Sequence, residues 1–336
     1  ALAVSTGNGC SVLSVFSVAN QYKATRIQHM ADVDIDIEES PFAGSPVIPE
    51  QFDEDHVIKF RCYKGIECFN ACCRDIDITL TPYDILRLKQ RLGITSTEFL
   101  AKYTYPFEFG KNSIAGVKML PVEGGTECRF MTEEGCSVYQ DRPTACRYYP
   151  VGLLSLRRAD ENFDRASYAL VKEDHCKGHL EEREITIRDY RKEQGVEEYD
   201  EFNKAWYELI LKKKSGGPGV GKPNEMSLQL FFMASFNFDM LRKFVLSDNF
   251  KATYDLPEET YAEVAEDDIA LMKLGNRLMR QALFGEKTIP ENTGAWEKRV
   301  EERKEIWEAR AKAEIEARNN KTEKDMRQDT TGCSDN

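Results

Sequence analysis

The sequence lacks long apolar runs, an excess of basic residues and any internal repeat. No stretch approaches the roughly 18 consecutive apolar residues that a membrane-spanning helix needs, so we expect no membrane partner. Lysine and arginine number 46 against 58 aspartates and glutamates, which gives a formal net charge of -12. We also expect no nucleic-acid partner, because phosphate binding requires a basic face and no interleaved basic and aromatic run supplies one.

The first residues lack the features of an export signal. The most apolar early segment, Ser11 to Val18, has no basic region before it and is followed by the polar Gln21 and Lys23. We expect residues 1–29 to be unstructured or not part of the natural product, and a trimmed export signal is the less favoured alternative. The sequence therefore favours a cytoplasmic location.

Two nucleotide-binding signatures are also missing. No predicted strand is followed by a glycine-rich turn of the Rossmann type. Residues 216–223 imitate a P-loop, but Pro223 occupies the position of the required Ser or Thr, and a basic segment precedes it in place of a buried strand. We interpret this stretch as a linker between helices.

Cysteine, in contrast, is abundant and clustered. Eight of the ten cysteines lie within one third of the chain. They are Cys62, Cys68, Cys72, Cys73, Cys128, Cys136, Cys146 and Cys176. Such clustering predicts a disulfide framework or a metal centre, with inert buried thiols as the third alternative. Cys10 and Cys333 lie in ends that we expect to be disordered, and we exclude them.

Metal binding is the favoured alternative. Disulfide frameworks are typical of small secreted chains, and the adjacent Cys72 and Cys73 are poor partners for each other because disulfide geometry is demanding. As thiolates, neighbouring cysteines can serve two different centres or one distorted centre. All eight are therefore candidate metal ligands.

The identity of the metal stays open between zinc and iron, including an iron–sulfur cluster. Thiolates suit both, and the spacing matches neither the paired C-x2-C of a zinc ribbon nor a bacterial ferredoxin. Eight thiols could build two four-ligand centres. Alternatively, His175 and His179 could add nitrogen ligands beside Cys176, although a histidine in such a place is more often a surface or hydrogen-bonded residue. His56 is a weaker candidate.

Local signals predict many short elements around the cysteines. Thr81 as N-cap, Pro82 at the first helical position and Asp84 three residues after the cap predict a helix that Gly93 ends. Thr95 to Glu98 is a capping box that begins a second helix. Strands are predicted at 56–61, 75–80, 117–122, 128–131, 152–156 and 168–171. One further helical turn after Pro143 carries Cys146.

The composition changes after residue 180, where helical periods dominate. Helices are predicted at 185–214, 225–246, 257–284 and, highly charged, at 296–318. The predicted fold is therefore α+β, with a small cysteine-rich metal-binding α+β module followed by a mainly helical domain. The predicted divisions are a flexible lead-in (1–52), the cysteine-cluster domain (53–180), the helical domain (181–287), and a charged C-terminal helix with a disordered tail (288–336).

Three motifs in fixed order carry a resemblance to a known family. They are Cys62-x5-Cys68-x3-Cys72-Cys73-Arg74, Leu80-Thr81-Pro82-Tyr83-Asp84-Ile85-Leu86-Arg87-Leu88 and Cys136-Ser-Val-Tyr139-Gln-Asp-Arg142-Pro143-Thr-Ala-Cys146-Arg147-Tyr148-Tyr149-Pro150. Residues 56–180 thereby resemble the YkgJ-type cysteine-cluster family (CxxCxxCC type), whose members are described as zinc- or iron-chelating domains. The Cys62 to Cys68 spacing is longer than in its compact versions. The resemblance implies a protein that holds zinc or iron through this cluster.

Two other functions stay open. A related group, the flagellin lysine N-methylases, carries a similar cluster, and this relationship implies an enzyme that methylates protein lysines. The third hypothesis is a structural zinc module that recruits another protein through the charged C-terminal helix. Nothing in the sequence identifies a substrate or catalytic residues.

Arginine and tyrosine side chains flank one of the cysteines. Arg142, Arg147, Tyr148 and Tyr149 surround Cys146 in the sequence. The arginines could offset thiolate charge or hold an anionic substrate. We favour a structural role, in which an arginine pairs with Asp141 or Asp84 and the tyrosines pack in the core.

Overall fold

The computed structural model describes residues 50–108, 115–154, 167–215 and 225–294, together with six single residues between 297 and 315. Within these ranges the chain is α+β, as predicted, with a helical region following a region of small antiparallel sheets. The lead-in up to residue 49 and the P-loop imitation at 216–223 fall outside the described residues. The division into domains stays a prediction.

Nine short strands are described. They are β1 (Val57–Lys59), β2 (Thr79–Leu80), β3 (Thr104–Glu108), β4 (Ala115–Met119), β5 (Met131–Thr132), β6 (Gly135–Cys136), β7 (Val151–Leu154), β8 (Ser167–Leu170) and β9 (Glu184–Thr186). One sheet has three strands in the order β2-β4-β3, and the others are the pairs β1–β9, β5–β6 and β7–β8, all antiparallel. These sheets are too small to form a core by themselves.

Ten α-helices are described in the same ranges. They are α1 (Pro82–Leu92), α2 (Ser96–Tyr103), α3 (Thr144–Tyr148), α4 (Ile187–Glu193), α5 (Val196–Ser215), α6 (Glu225–Phe236), α7 (Phe238–Val245), α8 (Asp248–Thr253), α9 (Glu258–Glu266) and α10 (Asp268–Phe284). Helix α3 is the predicted single turn that carries Cys146.

Helix α1 begins and ends as predicted, and helix α2 begins as predicted. The Thr81 hydroxyl accepts a hydrogen bond from the Asp84 amide at 3.2 Å, and the Asp84 carboxylate accepts one from the Thr81 amide at 2.8 Å. Thr95 and Glu98 form the equivalent capping box for α2. Gly93 ends α1 at φ 64°, a left-handed conformation that glycine adopts without a steric cost. Both helices are therefore determined by short-range signals.

Each of three predicted long helices is divided in the structure. The predicted ranges were 185–214, 225–246 and 257–284. Gly195, at φ 62°, separates α4 from α5. Asn237 and Asp267 end one helix and cap the next with their side chains. Apolar periodicity continues through all three breaks, so the pattern alone does not reveal them.

The predicted strand at 128–131 is wrong in its position. Cys128 forms an isolated bridge with Pro121, and the Met131 amide donates to the Cys128 carbonyl at 3.0 Å, which makes a turn before β5. The predicted strand at 75–80 shortens to β2. Strand β3 was not predicted, because Pro106 cannot donate to the ladder and weakens the strand pattern.

Two hydrophobic clusters fill the described structure. The larger cluster joins β2, β4, α1 and α2 to the later helices, and its fully buried members include Leu80, Ile85, Phe99, Phe231, Phe238 and Leu271. The smaller cluster packs β1, β7, β8 and α4 together, with Ile58, Phe60, Tyr168 and Ile187 at its centre. The segments that carry the cysteines meet both clusters.

None of the described helices is both long and apolar enough to cross a bilayer.

Of the predicted charged helix at 296–318, the single residues that the structure describes are helical and exposed. They are Glu297, Glu301, Lys304, Glu308, Lys312 and Ile315.

A buried ion cluster at Asp268 fastens α10 to two other helices. Lys89 of α1 and Arg242 of α7 each place a nitrogen 2.6 Å from its carboxylate, and the Lys89 and Asp268 side chains are both 11% exposed. Desolvation alone would raise the pKa of Asp268, but the hydrogen bonds from Lys89 and Arg242 hold it below its usual range. The Asp268 carboxylate is therefore ionised at neutral pH.

We expect Asp268→Asn to lower the free energy of unfolding by about 3 kcal/mol at pH 7, because Lys89 would remain buried without a counter-charge. Since the folded pKa of Asp268 is lowered, its contribution is present above the unfolded pKa and is lost as pH falls through the folded pKa. The difference between variant and wild type should therefore shrink in acid. Urea unfolding at pH 7 and in acid measures it, with the exposed Asp255→Asn as control, and an equal loss for both variants would contradict the prediction.

Candidate metal centre

The segment that carries the first four cysteines has little regular structure. Between β1 and β2 the chain forms one short 3-10 turn, Ala71–Cys73, flanked by left-handed Asn70 (φ 67°) and Asp75 (φ 50°). The Asn70 side chain donates to the Thr132 carbonyl at 2.8 Å and so attaches this segment to the β5–β6 hairpin. Polar contacts of this kind, rather than a sheet, position the thiols.

Three cysteines have neighbouring backbones. The Cys128 amide donates to the Cys73 carbonyl at 2.7 Å. Cys136 pairs with Met131 across the β5–β6 hairpin, one turn beyond Cys128. Cys128 is buried, at 8% exposure, and Cys73 and Cys136 are partly buried against the larger hydrophobic cluster. These three residues therefore lie together on one side of the larger core.

A fully buried carboxylate places Cys146 beside this group. One oxygen of Asp84 accepts hydrogen bonds from the Thr144 amide and hydroxyl, both at 2.7 Å, while the other binds the Thr81 amide. Burial raises the pKa of Asp84, and the hydrogen bonds from Thr81 and Thr144 oppose that rise. The carboxylate therefore joins the start of α1 to the start of α3, the helix of Cys146.

The loop that carries Cys62 and Cys68 contacts the loop that carries Cys176. The Lys177 amide donates to the Cys68 sulfur at 3.2 Å, and the Arg61 amide donates to the Gly178 carbonyl at 3.1 Å. These bonds bring the residues next to Cys62 and Cys176 together.

Gly178 permits this close approach. A Cβ atom at this position would lie 2.6 Å from the Phe60 ring and 3.0 Å from the Arg61 carbonyl oxygen. The first distance is shorter than real Cβ contacts, so the loop of Cys176 could not reach β1 with a larger residue. Glycine is therefore required by close packing here.

The thiols lie close enough to alter one another's ionisation. Partial desolvation, followed by the charges of Cys72, Cys68 and Cys176, raises the pKa of Cys62 to about 11. Burial, followed by the charges of Cys128 and Cys136, also raises the pKa of Cys146. Gathering several thiolates without a cation is therefore unfavourable.

The pKa values of the adjacent Cys72 and Cys73 shift in opposite directions. A hydrogen bond from Cys73 lowers the pKa of Cys72 to about 7, and the same bond, together with desolvation, raises the pKa of Cys73. Cys72 is therefore the thiol that ionises most readily of the pair.

All eight cysteines are free thiols in the structure, so the disulfide alternative receives no support from the described residues. Within that part of the chain, no three His, Cys, Asp or Glu side chains are arranged to hold a metal ion as they stand. The case for a metal therefore rests on the donor set and its shared surroundings.

The three histidines considered as ligands have other contacts. His179 lies 3.0 Å from the Val171 carbonyl through Nε2, to which that nitrogen donates when protonated, and its ring packs against Phe60. His175 lies 3.5 Å from a Glu173 carboxylate oxygen. His56 stacks on the Phe52 ring. These contacts correspond to the ordinary alternative that the sequence analysis favoured over metal ligation.

Arg147 has the structural role that we favoured, but with other partners. It is buried, and its guanidinium donates to the carbonyls of Arg142, Gln140 and Gln194 and to the Tyr199 hydroxyl. The expected pairing of an arginine with Asp84 is not seen at either position.

Arg142 and Asp141 also differ from expectation. Asp141 pairs with Arg87 of α1 at 2.7 Å instead of with Arg142 or Arg147. Arg142 donates to the Tyr139 carbonyl and to Gln194, and its charge lowers the pKa of Cys136 against the larger effect of burial. Arg142 therefore combines a structural role with a favourable charge near one thiol.

The two tyrosines after Arg147 occupy different surroundings. Tyr148 is buried and donates to Asp200 at 2.6 Å, as expected of a core residue. The Tyr149 hydroxyl is buried, has no hydrogen-bond partner with acceptable geometry, and lies beside Cys176 and Glu173. Tyr149 was predicted to pack in the core, and its position beside Cys176 follows from the fold alone.

Comparison with known proteins supports the resemblance found in the sequence. Residues 61–177 match the family model CxxCxxCC, described as a "putative zinc- or iron-chelating domain". The match spans all eight cysteines and confirms the expected family for this segment. No curated protein and no solved structure matches the chain.

We expect Thr144→Val to lower the free energy of unfolding by about 1–2 kcal/mol, because Asp84 loses a buried hydrogen-bond donor. Urea unfolding of the metal-free protein measures this loss without a contribution from metal binding. The exposed Thr126→Val is the matched control and should stay near wild type. Unchanged stability of Thr144→Val would show that the Asp84 link does not hold α3 in place.

Proposed function

We propose that residues 61–177 form a metal-binding module in which the eight cysteines bind zinc or an iron–sulfur cluster as thiolates. The observation that carries the proposal is that eight free thiols lie in segments of the chain that contact one another through backbone hydrogen bonds and side-chain proximity. Burial, followed by the charges of neighbouring thiolates, raises the pKa of Cys62 and of Cys146. A bound cation would reverse that penalty, since it favours the thiolate over the thiol.

The donor set fits the metals that the family description names. Sulfur ligands are soft and select zinc and iron–sulfur clusters over magnesium or calcium, which prefer oxygen. The sites are also partly dry: Cys128 is buried and five more of the eight are intermediate in exposure. Reduced contact with water strengthens the attraction between a metal ion and its thiolates.

A structural contribution follows from the local fold. Residues 61–78 contain one 3-10 turn and one buried apolar side chain, Ile66. A region with so little core gains stability from metal cross-links, because binding free energy becomes folding free energy. An iron–sulfur cluster would in addition supply electron transfer, which zinc cannot.

The proposal includes a reducing compartment such as the cytoplasm, because the thiols must stay free to bind metal. Lysine methylation and partner recruitment through the charged helix stay predictions, since no described feature favours either over metal binding.

We expect protein purified without oxygen to contain zinc or iron, detected by elemental analysis. Broad visible absorbance would indicate an iron–sulfur cluster, whereas a zinc protein would be colourless. Replacing all eight cysteines with alanine should abolish the metal content, and Cys333→Ala should leave it unchanged. Absence of bound metal in the wild-type protein would contradict the proposed function.

We expect the apparent affinity for zinc to rise with pH through the neutral range, because binding displaces protons from thiols. Cys62, with a pKa raised to about 11, holds its proton at pH 7 in the metal-free protein, whereas Cys72, with a pKa near 7, is partly ionised. Calorimetric zinc titrations in buffers of different ionisation enthalpy count the protons released. An affinity independent of pH would argue against thiolate ligation.

A further inference from the structure

The eight cysteines separate into two groups by the core on which they pack. Cys73, Cys128 and Cys136 belong to or pack against the larger hydrophobic cluster, whereas Cys176 packs against the smaller one. The two clusters are built from different elements, and they contact the cysteine-bearing loops on two different sides. This division does not depend on ionisation.

Backbone contacts assign further members to each group. Cys146 joins the first group through its helix α3, which Asp84 attaches to α1 and thus to the larger cluster. Cys62 and Cys68 join the group of Cys176 through the hydrogen bonds of Arg61 and Lys177. We call Cys73, Cys128, Cys136 and Cys146 the inner set.

The division passes between Cys72 and Cys73. Both lie in the 3-10 turn Ala71–Cys73, in which successive side chains point about 120° apart. Cys73 packs on the larger cluster, whereas Cys72 is exposed, like Cys62. Adjacent residues therefore point to different sides of the turn. We call Cys62, Cys68, Cys72 and Cys176 the outer set.

Side-chain proximity follows this division except at its boundary. Cys62 lies within electrostatic reach of Cys72, Cys68 and Cys176, all outer members. Cys146 lies within reach of the inner members Cys128 and Cys136. Cys72 lies within reach of all four inner thiols as well, so it is the residue at the boundary between the two sets.

A tyrosine hydroxyl lies beside the outer set. The Tyr149 hydroxyl is buried and makes no hydrogen bond of acceptable geometry, and Cys176 and Glu173 lie within its reach. A buried donor without a partner is costly. A metal-bound thiolate at Cys176 would accept its hydrogen bond, and such bonds to ligating atoms tune metal affinity.

We infer that the module holds two separate metal centres, one bound by the inner set and one by the outer set, with Tyr149 donating a hydrogen bond to Cys176 of the outer centre. The inference rests on the proposed function and adds the number of centres and their ligands. Each centre has four thiolates, the usual number for a closed zinc site and for a cubane iron–sulfur cluster. Cys72 and Cys73 then serve different centres.

Zinc titration of the reduced, metal-free full-length protein tests the division. We expect about two zinc ions per chain in the wild type, and about one after Cys128→Ala with Cys146→Ala or after Cys62→Ala with Cys176→Ala. All four changes together should leave none. One ion per wild-type chain, or complete loss from either pair alone, would indicate a single shared centre and overturn the inference. No zinc in the wild type would instead contradict the proposed function.

Cobalt(II) titration of the wild type keeps the test valid if a variant fails to fold, as judged by circular dichroism. Absorption from cobalt–thiolate bonds should rise until two equivalents are bound, and saturation at one equivalent would overturn the inference.

Tyr149→Phe should weaken one of the two binding events several-fold and leave the other unchanged, with the exposed Tyr139→Phe as control. Equal weakening of both binding events would show that Tyr149 does not donate a hydrogen bond specifically to the outer centre.

Discussion

The buried carboxylate of Asp84 is the constraint on which the described structure most depends. It caps α1, holds Thr144 at the start of α3, and so places Cys146 against the larger core. It therefore links the Thr-Pro-x-Asp helix start to the Arg-Pro-Thr-Ala-Cys run. A shorter or neutral side chain could not bond to both helix starts.

The cysteine loops depend on a different kind of constraint. They contribute few apolar side chains, and single hydrogen bonds such as Lys177 to Cys68 and Cys128 to Cys73 attach them to the two cores. Bonds of this kind contribute about 1 kcal/mol each, which is small beside the cost of ordering long loops. Metal cross-links between thiolates would supply the missing stabilisation and would explain why so many free cysteines occupy this region.

Elements defined by neighbours in the sequence were predicted well, and elements defined by distant contacts were not. The capping boxes at Thr81 and Thr95 and the turn at Gly93 need only adjacent residues. Asn237 and Asp267, in contrast, interrupt continuous apolar periods, because each side chain caps a new helix whose direction is set by packing. The same limit explains why Arg147 binds backbone carbonyls and not the acids that its sequence neighbours suggested.

The sequence by itself determined the α+β class, the candidate ligands and the family resemblance, because residue type and spacing encode helix caps and thiol chemistry. Only the tertiary structure decided which thiols become neighbours, since Cys62 and Cys176 are far apart along the chain and meet through contacts at Arg61 and Gly178. It also placed the Tyr149 hydroxyl beside Cys176. Such proximity arises from packing against two cores, which no local pattern records.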